Sequence, residues 1–232
     1  MAFPQITTHA ESQETTNQTT HNVTLPSGIQ AGDLLILIVG TNNDNSVTIA
    51  WNAAGSGWVE LGQEAIQNFE HKLAAAYKFA AGDATDNADY TTTAGEESAA
   101  ICLRITGAHA STPPEYTPTE FESASTDANP PSLNPANWDV EDTLWIAIGS
   151  TTNGTLTVST YPYAANNITS ASAGTDGVRV AIATTENAAA SNDPGNFVFS
   201  GTDTVGGAQI AVRPAAVTVK ATVRRQRDMA AA

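Results

Sequence analysis

The chain has 232 residues, with nine Lys and Arg against twenty-four Asp and Glu and a formal net charge of −15. Four of the nine basic residues (Lys220, Arg224, Arg225, Arg227) follow residue 213, where Asp228 is the only acid, so the tail carries +3 and the rest −18. A body this acidic repels phosphate backbones, which argues against a nucleic-acid partner, and the longest strong apolar run, LLILIV, is far too short to span a membrane.

The opening MAFPQITTHA has neither a charged n-region nor an apolar h-region, so the chain is expected to be made in a cytoplasm without a secretory signal. Cys102 is the only cysteine and lies in AAICLRI, which predicts a packed core thiol. At this length a chain buries roughly 70% of its unfolded surface and needs no disulfide.

Thr, Ser, Asn and Gly are plentiful, and apolar segments are short, often β-branched and bounded by turn residues. That pattern predicts an all-β, two-sheet antiparallel β-sandwich, jelly-roll-like in type. In chain order the predicted strands begin with HNVTLP (21–26) and DLLILIVG (33–40). The second is a near-continuous apolar run, as expected where both faces are covered. SVTIAW (46–51), GWVELGQ (57–63), KLAAAYKFA (72–80), DYTTT (89–93) and SAAICLRIT (98–106) follow. KLAAAYKFA suits a helix on propensity but is read as a strand, because its partner GVRVAIATT in the second half is plainly one. Residues 109–138 hold six prolines and read as an irregular connection with FESAS as a short edge strand. DTLWIAIGS, GTLTVSTYPY, NNITSAS, GVRVAIATT, GNFVFSG and GAQIAVRP complete the set, with Asp176-Gly177 as a hairpin signal.

One phrase occurs twice. Asp33, Leu35 and Gly40 recur 109 positions later as Asp142, Leu144 and Gly149. The same offset runs ungapped from 33–104 to 142–213. It sets Leu73 on Ile182, Tyr90 on Phe199, and Ala99, Ile101, Leu103 and Arg104 on Ala208, Ile210, Val212 and Arg213. The expectation is a sandwich domain over residues 1–213 with two similar halves, 1–108 and 139–213, whose central strands interleave. The Pro-rich connection spans 109–138, and a basic C-terminal arm spans 214–232.

Reactive chemistry is sparse. The histidines at 9, 21, 71 and 109 fall in no metal-ligand spacing, so neither metal nor cofactor is expected. No Gly-x-Ser-x-Gly elbow exists, and Glu60, Glu70 and Glu186 show no pairing of the glycosidase kind. DATDNAD (83–89) departs from a calcium loop in spacing and reads as a solvated acidic turn. Trp51 and Trp145 read as core. Trp58, Trp138, Tyr161 and Tyr163 are candidates for an exposed aromatic surface that stacks on sugar rings.

LPSGIQAGDLLILIVG (25–40), SGWVEL (56–61), LAAAYKFAAGD (73–83) and AQIAVRP (208–214) resemble a family of β-sandwich proteins found in tailed-bacteriophage virions. The resemblance implies a non-enzymatic structural protein of the virion: a capsid decoration, minor tail or fibre-associated component. It implies contacts with other virion proteins, the major capsid or tail protein, and with further copies of the same chain as a homo-oligomer. It carries no catalytic residues and no cofactor. The chain departs from the family after the closing Arg-Pro, where VTVKATV and RRQR continue. Val217, Val219 and Val223 suit a strand added to a neighbouring sheet edge, and Lys220, Arg224, Arg225 and Arg227 suit an acidic partner surface. The alternative reading is a tail- or fibre-associated module that binds a host-surface glycan or receptor through the four aromatic candidates.

Overall fold

The computed structural model describes residues 2–42, 47–51, 57–65, 71–82, 87–172 and 174–216. Among them are thirteen strands and no helix. Six build an N-terminal sheet: β1 (Gln5–His21), β2 (Leu34–Asn42), β3 (Ile49–Ala50), β4 (Val59–Ala65), β5 (Lys72–Phe79) and β6 (Tyr90–Thr106). Seven build a C-terminal sheet: β7 (Glu115–Tyr116), β8 (Glu120–Ala128), β9 (Glu141–Thr151), β10 (Val158–Thr160), β11 (Ala165–Ala171), β12 (Arg179–Ala189) and β13 (Phe197–Val212). Every strand pair is antiparallel. No helix among the described residues is long and apolar enough to cross a membrane.

The two-sheet antiparallel sandwich with two similar halves is as the sequence predicts. Its connectivity differs from the interleaving expected, because each half supplies one whole sheet and strands do not alternate between layers as in a jelly roll. The N-terminal order is β1-β6-β2-β5-β4, with β3 also on β6. The C-terminal order is β8-β13-β9-β12-β11, with β7 and β10 also on β13. Strand for strand the two orders match. The segment 109–138 is therefore no bare connection: its β7 and β8 stand where β1 stands in the first half.

Apolar side chains fill three layers. Between the sheets pack Leu34, Ile36 and Ile38 of β2 with Ile101 and Leu103 of β6, facing Leu144, Ile146 and Ile148 of β9 with Val180 and Ile182 of β12. The alternate residues Leu35, Leu37 and Val39 point to the outer face, where Ile29, Trp51 and Trp58 cover them. On the other outer face Leu133 and Trp138 cover Trp145 and Ala211. Covered on both sides, β2 and β9 can be apolar at every position, which is why they read as unbroken runs.

The repeated phrase is real but slipped. Gly40 sits between Leu73 and Ala99 on its neighbouring strands, while Ile148 sits between Ile182 and Ala208. β5 and β6 keep the 109 offset to β12 and β13, so the partner of Gly40 in the fold is Ile148 and not Gly149. A one-residue shift reverses the faces of a strand. Gly40 faces the core, where an added Cβ would lie 2.7 Å from Val180 Cγ2. Gly149 faces outward, where an added Cβ would lie 2.6 Å from Phe197 Cγ. The ion pairs agree with the corrected register. Arg104 Nε donates to Asp33 Oδ2 at 2.6 Å, and Arg213 Nε donates to Glu141 Oε2 at 2.7 Å. The counterpart of Asp33 is Glu141, not Asp142.

Candidate functional site

The four aromatic candidates do not form a surface. Trp58 is 2% exposed and Trp138 8% exposed. Trp58 lies under the N-terminal sheet's outer layer, its Nε1 donating to Asn87 O at 2.5 Å. Trp138 lies on the C-terminal sheet with the Arg213 guanidinium 5.7 Å above its ring. The reason is the double coverage of the central strands: their outer faces are apolar and need lids, and these indoles are lids. The sequence-based expectation of exposure fails here. Tyr161 and Tyr163 are half-buried. Tyr161 packs edge-on against Phe197 at 5.8 Å, and the Tyr163 hydroxyl is engaged by Asn192 and Gln209. Burial raises the pKa of both phenols.

All seven arm residues, Val217, Val219, Lys220, Val223, Arg224, Arg225 and Arg227, lie outside the described residues, as do Glu70 and most of the acidic turn (83–86). Asp89, which closes that turn, accepts from Val23 N at 3.0 Å. Among the described residues no group of three or more His, Cys, Asp and Glu side chains is placed to hold a metal. Trp51 (5% exposed), Trp145 and Cys102 (both 0%) are core residues, as predicted.

Two histidines are buried polar links. His21 stacks on Tyr90 at 4.6 Å, with Nδ1 2.9 Å from Ser98 Oγ and Nε2 3.0 Å from Thr92 Oγ1. A Ser and His at that distance satisfy the spacing of a nucleophile and its base, but both are closed off from solvent. His71 stands between the sheets. Its Nδ1 donates to Thr41 O at 3.0 Å, which leaves Nε2 to accept from Ser150 Oγ at 2.8 Å.

The surface feature that stands out is β1. Its seventeen residues pair with β6 on one side, and no strand among the described residues pairs with the other. In an antiparallel pair every second residue turns its backbone N–H and C=O away from the partner, so this outer side presents a row of backbone groups that no described strand pairs, Ser12 O among them being met by a side chain instead. Beside it lies an open cleft of about 470 Å³ between Glu11, Ser12 and Gln13 of β1, Asn22 and Thr24 beyond it, and Thr169 to Ala171 of β11. Ser170 Oγ donates to Ser12 O at 2.8 Å across the cleft floor.

The sequence reading missed β1, placing the first strand at 21–26, where the chain leaves the sheet after His21. QITTHAESQETTNQTTH has little apolar alternation to announce it. The available signal was weaker: seventeen residues without Gly or Pro and rich in Thr, which favours extended backbone.

Comparison with protein-family models, with curated proteins and with solved structures finds no match to this chain.

Proposed function

We propose that this chain is a non-enzymatic structural subunit of a tailed-phage virion, a capsid decoration protein that assembles through sheet-edge and arm contacts. The observation that carries the reading is the free edge of β1 on an acidic sandwich whose chain continues into a basic segment. Such a body remains soluble at high local density and joins its neighbours by strand addition, where many weak copies add up to a firm attachment. The resemblance of its strand and turn phrases to virion β-sandwich proteins suggests the setting. Partners on this reading are the major capsid protein and further copies of the chain.

The test is to purify particles from cells producing this chain and count copies per particle by electron cryo-microscopy. Hundreds of copies on the shell are expected. A handful at the tail would overturn decoration, and particles lacking the chain would overturn the virion reading altogether. Removing residues 215–232 should strip the chain from particles.

A further inference from the structure

We infer that the outer edge of β1 is the acceptor for the C-terminal segment, residues 217–227, of a second copy of this chain, which adds there as an antiparallel strand. The inference rests on the assembly reading above and names its contact.

The repeat supplies an internal control. The edge that corresponds to β1 in the second half is blunted: Pro118 lies in the break between β7 and β8, and Ala124 in β8 takes a left-handed φ of 54°. Proline and irregular backbone are what protect a sheet edge from unwanted pairing. β1 has neither Pro nor Lys along its seventeen residues, and although its ladder to β6 shifts register between Ile6 and Thr8 and again beyond Glu14, it runs unbroken from Thr8 to Glu14. The second half interrupts its edge with Pro118, and the first keeps this regular stretch open.

Charge and length fit the arm. β1 carries Glu11 and Glu14 and no Lys or Arg, whereas residues 217–227 carry Lys220, Arg224, Arg225 and Arg227 and no acid. A second β1 would bring Glu against Glu; the arm brings the opposite charge. Eleven extended residues span about 36 Å, against about 56 Å for β1. The cleft beside Glu11 and Gln13 gives room for the side chains of an added strand.

Direction selects a second copy over the chain's own arm. Ala215 N donates to Gly107 O at 2.8 Å, and a Cβ on Gly107 would lie 3.6 Å from Phe3 O, so the chain leaves the sandwich next to the start of β1. Pro214 bridges Ala108 antiparallel, just past the end of β6, so the departing chain runs in the same sense as β1. Folding back on its own β1 would make a parallel pair, the less stable kind, in a fold whose strand pairs are all antiparallel. A copy facing the opposite way supplies an antiparallel arm, and mutual exchange closes an isologous dimer.

Light scattering on the full chain should show a dimer that becomes monomeric when the chain stops at Ala216, with a sandwich that still unfolds in one cooperative transition, at a lower midpoint because the dimer contact is gone. A monomeric full chain, or a dimer that survives the truncation, would overturn the inference. For a second measurement, a Gln13→Cys copy is mixed with a Thr222→Cys copy under mild oxidation; Cys102 is buried and silent. A disulfide-linked pair of the two copies is expected. No link between copies, or a Gln13→Cys/Thr222→Cys double variant that closes only within a monomer, would overturn it. If particles carry the chain but the purified protein is monomeric, the arm exchange fails while the virion reading stands. A dimer absent from particles gives the converse.

Discussion

His71, just before β5, and Ser150, near the end of β9, meet between the two halves, ring Nε2 2.8 Å from hydroxyl Oγ. The imidazole also donates to Thr41 O and has the Phe121 ring edge-on at 5.5 Å. This is a polar tie within an otherwise apolar interface; the bond accepted at Nε2 needs a neutral ring, whereas the donation to Thr41 O does not.

Burial pushes the His71 pKa down to about 4, with the Thr41 carbonyl and Asp203 opposing more weakly. The folded value lies below the unfolded one, so the unfolded chain binds the extra proton. The stabilisation is therefore complete above about pH 6.5 and is lost as pH falls toward 4, by roughly 3 kcal/mol in all. Urea midpoints measured from pH 7 to pH 4 should fall in the wild type and fall less in His71→Gln. Residual slope is expected from His21, whose pKa burial also lowers. An equal decline in both proteins would show that His71 is not the sensor.

Gly40 and Gly149 should respond to substitution through different neighbours. Gly40→Ala drives a methyl into Val180 and Val178 between the sheets, and Gly149→Ala drives one into Phe197 on the outer face. Each should cost about 1–3 kcal/mol by overpacking. Val180→Ala should recover part of the Gly40→Ala loss, with Val178 still close, and leave Gly149→Ala unrescued. Rescue of both by Val180→Ala would contradict the one-residue slip.

The two arginine pairs should behave as equivalents. Asp33–Arg104 and Glu141–Arg213 are each part-buried, and the hydrogen bond from Arg213 followed by its charge holds the Glu141 pKa below the usual carboxylate value. Double-mutant cycles in urea should give a coupling of about 1 kcal/mol for each pair, reduced in high salt. Arg213→Ala should cost somewhat more than Arg104→Ala, because its guanidinium also covers Trp138.

Trp58→Ala and Trp138→Ala should act on folding. Removing a buried indole costs about 3–5 kcal/mol, so chemical denaturation should show large losses for both. Glycan-array signals that vanished with either change while the unfolding midpoint held would reverse this assignment.

How much was readable beforehand can be judged strand by strand. β2, β5, β9 and β12 were legible because their apolar residues bind them to a buried layer whatever lies around them. Even the Ala-rich β5 was recovered from its relation to β12. β1 was not legible: its stability comes from the ladder to β6 and not from any stripe of its own. The lid role of Trp58 and Trp138 was hidden for a related reason, since flanking Gly, Ser and Asn say nothing about which layer a loop covers.

Composition and apolar patterning determined the class of fold, the likeness of the two halves and the acidic body with its basic tail, because these depend on residue type and short-range spacing. The tertiary structure decided which half builds which sheet, the slip that turns Gly149 outward, and which edge is closed by Pro118 and which left open. Those depend on pairings between residues a hundred positions apart, whose register is set by packing against the opposite layer and leaves no local mark in the chain.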